Sequence, residues 1–190
     1  MLSAAIVDCL QGIVNSRPFP KITKIRGSIN RELDQLGETT MDAAHIHLLL
    51  NHIPILGTIF GLLLLCYGTW RHSDEIKKAS LGTFVIVALI TIVVYLTGDG
   101  AAQIVGNLPG VSDAIIRRHD NAATLTFWPI EILGVLSLLS LWLGRGDRGL
   151  KAGLIGLILV IALICSGLAS WTGSIGGQIR HTEVRPGFSK

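Results

Sequence analysis

Long apolar runs separated by short polar connections dominate the chain from residue 43 onward. No Asp, Glu, Lys or Arg interrupts residues 43–70, 79–98 or 152–179, and residues 121–144 hold a single such side chain, Glu131. An apolar run of ~20 residues crosses a bilayer core as a helix. Inside lipid every backbone amide must find a partner within its own segment, so these runs predict helices, not strands. We expect helices over about residues 44–70, 79–98, 121–144 and 152–175. Short connections make consecutive helices antiparallel neighbours, so the expected fold is all-α, an integral membrane four-helix up-down bundle over residues 41–182, with 183–190 as a tail.

Composition strengthens this picture. Hydrophobic residues make up 49% of the 190-residue chain and charged residues only 15%, which is high for a soluble domain of this length. The net charge of +3 comes from basic residues scattered over loops and tails, with no basic stripe to suit nucleic acid. Cys9, Cys66 and Cys165 are widely spaced. They form neither a disulfide framework nor a Cys-x-x-Cys motif, and are expected to pack as small apolar residues.

Basic residues in the short loops predict orientation. Arg71, Lys77 and Lys78 follow the first span, and Arg145, Arg148 and Lys151 follow the third. Both connections are therefore expected on the cytoplasmic side of a bacterial inner membrane, with the 98–120 connection and the end of the fourth span on the periplasmic side. Residues 1–40 oppose this reading, because Arg17, Lys21, Lys24, Arg26 and Arg31 favour a cytoplasmic N-terminus. Two explanations stand: a natural start at Met41, or a genuine cytoplasmic or interfacial arm that reverses the orientation. The segment lacks the basic and apolar regions of a secretory signal.

The candidate chemistry lies at the span ends. Five of the six histidines, His45, His47, His52, His119 and His181, fall at ends that an up-down bundle brings to one side. Asp99, Asp120 and Arg180 accompany them. In the first span His45 and His52 are two turns apart and share a stripe, with His47 pointing across. His52 lies ~10 Å deeper than His45 at ~1.5 Å per residue, and Pro54 loosens the backbone just below it. Glu131 lies ~16 Å below Asp120 on the same rise, near the bilayer centre. An ionised carboxylate there is costly, so Glu131 is expected to be paired or protonated, with His52 as the candidate partner. Pro129 is expected to kink the helix beside it. Ser112 is expected to cap a helix that starts at Asp113 and runs into the third span, ordering His119. Gly176 and Gly177 allow a turn or a close backbone approach.

These motifs bear a resemblance. His45-Ile-His-Leu-Leu-Leu-Asn-His-Ile-Pro54, His119-Asp120 and Gly176-Gly-Gln-Ile-Arg-His181 look like the marks of an uncharacterised family of four-helix bacterial membrane proteins. That family opens on a His-Pro-x-x-x-His-Phe-Pro type signature and closes on a Gly-Gly-x-x-x-His type signature. The likeness covers roughly residues 41–185, and this chain lacks the Pro after the first His and the Phe before Pro54. The resemblance implies the four-helix fold and an association with haem or redox roles.

Histidines from several helices meeting at one membrane face suit haem iron, copper or zinc. The first expectation is a b-type haem or a transition metal serving electron transfer with a redox protein or a quinone. His52 with His119 is the first axial pair, and His45 with His181 the next; Arg180 would hold a propionate. Asp99, Asp120 and Glu131 would act as outer hydrogen-bond acceptors or proton carriers. No Cys-x-x-Cys-His motif is present, so a haem must be noncovalent. The second expectation is a noncatalytic anchor or assembly subunit of a larger complex, or a homo-oligomer, in which no cofactor is bound. Gly57 with Gly61, and Gly149 with Gly153, would then serve close helix contact. A small proton or solute transporter using Glu131 and His52 is the third. No Ser-His-Asp order, P-loop or HExxH motif assigns an enzymatic reaction.

Overall fold

The computed structural model describes residues 39–145 and 149–181, with side chains from residue 43. The readings of residues 1–38 and 183–190, and of Cys9 and Arg148, lie outside the described residues. Among the described residues five helices follow in order: α1 Thr39–Leu50, α2 Ile53–Trp70, α3 Asp74–Gly106, α4 Asp113–Leu143 and α5 Ala152–Arg180. With α1 and α2 taken as one span, four segments are long and apolar enough to cross a membrane. The protein is an all-α, multi-pass membrane protein built as a four-helix bundle.

The first span is broken where a continuous helix was expected. Pro54 has no N–H to give to the Leu50 carbonyl, so the ladder is interrupted there. The Asn51 amide still bonds the His47 carbonyl at 2.9 Å, and the Leu56 amide bonds the His52 carbonyl at 2.9 Å. His52 keeps right-handed helical angles as the N-cap of α2. The break is therefore a local interruption, and Pro54 itself is buried.

The other differences are extensions. The 33-residue α3 is ~50 Å long at ~1.5 Å per residue, well beyond a ~30 Å hydrocarbon core. It starts at Asp74 because the Ser73 hydroxyl accepts from the Ile76 amide and two acidic residues favour a helix N-terminus. Helix α4 starts at Asp113 as expected, but the Ser112 side chain makes no capping bond. Pro129 is carried inside α4. Helix α5 runs through Gly176 and Gly177 to Arg180, so no turn forms at those glycines.

The spans pack as a ring, α2 on α3, α3 on α4, α4 on α5 and α5 back on α2, while α1 leans on α3. Leu65, Leu81, Phe84, Ile130, Leu133 and Ile158 fill the core. Between apolar helices in lipid, close packing and hydrogen bonds supply the attraction that water supplies in soluble proteins. Gly61 illustrates both: a Cβ there would overlap the Phe84 ring, and its carbonyl accepts from the buried Ser80 hydroxyl at 2.7 Å. Gly57 admits Val87 in the same way. The Gly57/Gly61 pair thus works within the chain. Gly149 lies before α5 with a positive φ, and a Cβ on Gly153 would meet none of the described residues, so this pair is not used for packing among them. Cys165 is buried and Cys66 exposed, both as free thiols.

Candidate functional site

One end of the bundle gathers polar groups from every span. Along the first span the interior stripe is Ala44 and His47 of α1, Asn51 at the break and Pro54 of α2, at spacings of three and four that keep one face turned inward. His47 is half-buried, and its Nδ1 lies 2.9 Å from the Val94 carbonyl of α3. A carbonyl only accepts, so Nδ1 carries the proton, and in the neutral ring the lone pair belongs to Nε2. The ring lies against Gly98, at a distance where a Cβ there would make ordinary contact with it.

His119 of α4 lies near enough to His47 for the charge of one to act on the other. Its ring reaches the Thr172 backbone of α5. Its Nδ1 is shielded from solvent and has no hydrogen-bond partner among the described residues. A Cβ on Gly176 would stand 3.0 Å from His119 Cε1, so the glycine is what allows helix α5 to approach the ring. Close approach, rather than a turn, is the use made of this glycine.

Hydroxyl groups fasten the helices directly beneath. Thr126 and Thr172 hydroxyl oxygens lie 2.7 Å apart across the α4–α5 contact. Each is also within reach of a carbonyl on the opposite helix, Leu168 for Thr126 and Ala122 for Thr172. On the other flank Tyr95 of α3 meets the Thr124 hydroxyl at 3.3 Å and stacks on Phe127, with ring centroids 4.5 Å apart. Both imidazoles therefore sit on a frame tied by cross-helix hydrogen bonds.

The five histidines do not converge as a set. His45, His52 and His181 are exposed, as is Arg180. The histidine that accompanies His119 is His47, not His52. The physical reason is the stripe: His45 and His52 share a face with the exposed Leu48, Leu49 and Leu56, which turns toward lipid. Among the described residues no group of three or more His, Cys, Asp or Glu is placed to hold a bare metal ion. His52 and Glu131 are joined by no hydrogen bond or ion pair, and Glu131 Oε1 is buried without a partner. Asp99 and Asp120 are half-buried at the histidine end.

No family model matches this chain. Nor is any curated protein or solved structure similar enough to bear on its reading.

Proposed function

We propose that this multi-pass membrane protein holds a b-type haem through His47 and His119 and passes electrons between a quinone or a redox protein and a further carrier. The observation that carries the reading is the pairing of these two histidines inside the bundle, one of them with its tautomer set by Val94. A metal-ligating imidazole commonly donates its other ring N–H to a carbonyl, which orients the ring and raises its basicity; the His47 bond to Val94 supplies that support. His119 brings a ring nitrogen that is shielded from solvent and has no hydrogen-bond partner among the described residues, and its ring is packed against α5 at Gly176. Haem can be held by one or two protein side chains, whereas a closed copper or zinc site needs three or four. The two-histidine arrangement favours haem over either ion. When bound, haem supplies a reversible one-electron carrier. The chain's own part is to fix both imidazoles and, through the apolar spans around them, to keep water from the ligands. The same reading puts the histidine end on the periplasmic side of a bacterial inner membrane, opposite the basic loops.

The test is to purify the protein in mild detergent from cells supplied with a haem precursor, then record oxidised and dithionite-reduced spectra with elemental analysis for iron, copper and zinc. A Soret band with sharpened reduced bands and stoichiometric iron is expected. A colourless, iron-free preparation would overturn the proposal.

One observation favours a second reading. Both imidazoles end on the backbone of a neighbouring helix, Val94 for His47 and Thr172 for His119, as purely structural histidines do. A noncatalytic anchor or assembly subunit would use them only to fasten α1 to α3 and α4 to α5. The colourless outcome supports this reading.

A further inference from the structure

The opposite end of the bundle is built differently, and its charge is uneven. Around the α2–α3 and α4–α5 connections the described side chains include five basic residues, Arg71, Lys77, Lys78, Arg145 and Lys151, against two acidic ones, Asp74 and Glu75. At the histidine end the described basic and acidic side chains are equal in number: Arg117, Arg118 and Arg180 against Asp99, Asp113 and Asp120. Among the described residues the excess positive charge thus lies at one end.

Its most central carboxylate is occupied internally. Asp74 Oδ1 accepts from Lys77 Nζ at 2.8 Å, and the same side chain bonds the Leu150 backbone of the other connection. Asp74 thereby ties the two loops together and takes Lys77 out of play. Arg71, Lys78, Arg145 and Lys151 remain exposed and form no ion pair with described residues. Among the described carboxylates, Glu75 and Asp74 stand near them, and Asp74 is already held by Lys77.

Aromatic residues set the depth of this rim. Trp70 and Trp142 are 74% and 60% exposed, and Tyr67 is exposed beside them, with Tyr67 and Trp70 in edge contact at 6.0 Å. Tryptophan and tyrosine rings favour the headgroup level of a bilayer. Helix ends Trp70 and Trp142 lie one and three residues before Arg71 and Arg145, so the guanidinium and ammonium groups stand at the level of lipid phosphates. Exposed cations at that level attract anionic lipid.

We propose that the rim formed by Arg71, Lys78, Arg145 and Lys151 binds the phosphate headgroups of anionic phospholipids. The rim then holds this end in the anionic leaflet, independently of what the histidines bind. The experiment uses the full chain carrying Trp128→Phe and Trp171→Phe, so that only Trp70 and Trp142 report. It is reconstituted into phosphatidylcholine vesicles that contain, at equal mole fraction, brominated phosphatidylglycerol or brominated phosphatidylcholine as a quencher. Brominated phosphatidylglycerol should quench more strongly, with an apparent preference of about threefold or more, since each surface cation contributes a several-fold bias. The preference should fall to near parity in Arg71→Gln/Lys78→Gln/Arg145→Gln/Lys151→Gln, and in the unaltered rim at ~0.5 M salt, where the Debye length is only a few ångström. Arg117→Gln at the other end should leave it unchanged. Helical circular dichroism of each variant verifies folding. Equal quenching by the two lipids, or a preference that survives both neutralisation and salt, would overturn the proposal.

Discussion

The two ends of this bundle handle polarity in opposite ways. At the histidine end polar side chains turn inward and bond across helices: His47 to Val94, Thr126 to Thr172, Tyr95 to Thr124. At the loop end they turn outward, and Arg71, Lys78, Arg145 and Lys151 stay exposed. Inward polar groups in a membrane protein must be satisfied or they are costly, so they specify geometry. Outward charges at the headgroup level remain solvated and specify surroundings. The first end is suited to holding something rigidly, the second to selecting the lipid around it.

The comparison can be broken most severely at Gly176. Gly176→Leu drives a side chain into the His119 ring, and overpacking of this kind costs about 2–3 kcal/mol. A large fall in thermal stability in detergent is expected, together with loss of any haem absorbance. An unchanged melting temperature would mean that the ring is not held against α5.

Removing the fastening below the ring is the next test. Thr126→Val with Thr172→Val deletes the hydroxyl pair while keeping shape, and interhelical hydrogen bonds in membranes are worth about 0.6–1.7 kcal/mol. Denaturant titration in mixed micelles should register a loss in that range. A neutral result would show that the hydroxyl pair does not hold the two helices together.

The loop end offers a gain in stability. His72 is the one non-glycine residue with positive φ among those described, at 52°, and it closes α2 with the Ser73 amide bonded to the Gly68 carbonyl at 2.9 Å. Left-handed backbone costs an L-residue about 1 kcal/mol that glycine avoids. His72→Gly should therefore raise the melting temperature by a few degrees, on the order of what ~1 kcal/mol gives in a chain of this size. A fall would show that the imidazole contributes a compensating contact.

The smallest effect belongs to the basic rim. Replacing Arg71, Lys78, Arg145 and Lys151 together by Gln should change stability in neutral detergent by less than ~0.5 kcal/mol, because exposed charges without partners carry little folding energy. A large loss would mean that the rim is part of the fold.

Much of this architecture was readable from hydrophobic runs alone. The four spans and their antiparallel order follow from run length, connection length and loss of charge, whereas the start of α4 at Asp113 was marked by Ser112, although its side chain makes no capping bond. What the runs did not reveal was which histidine faces inward. Spacing alone made His45 and His52 attractive, because two turns place them on one stripe. Side-chain size is the better guide in a membrane: Ala44, His47, Asn51 and Pro54 form the compact stripe that another helix can approach, whereas Leu48, Leu49 and Leu56 mark the lipid face. The Thr126–Thr172 pair was hidden for another reason, since it joins positions 46 apart in sequence and depends on the rotation of two helices. Gly176 and Gly177 signalled either a turn or a close approach, and only the position of the His119 ring decides between them. Pro54 did mark the discontinuity in the first span, through the amide hydrogen it lacks.

The most direct measurement is the reduced-minus-oxidised difference spectrum of the haem-supplied protein and of five single variants, with Ala in turn at His45, His47, His52, His119 and His181. The account predicts that the spectrum survives at His45, His52 and His181 and collapses at His47 and His119. A spectrum that is lost at His52 and kept at His47, or absent throughout, would contradict it.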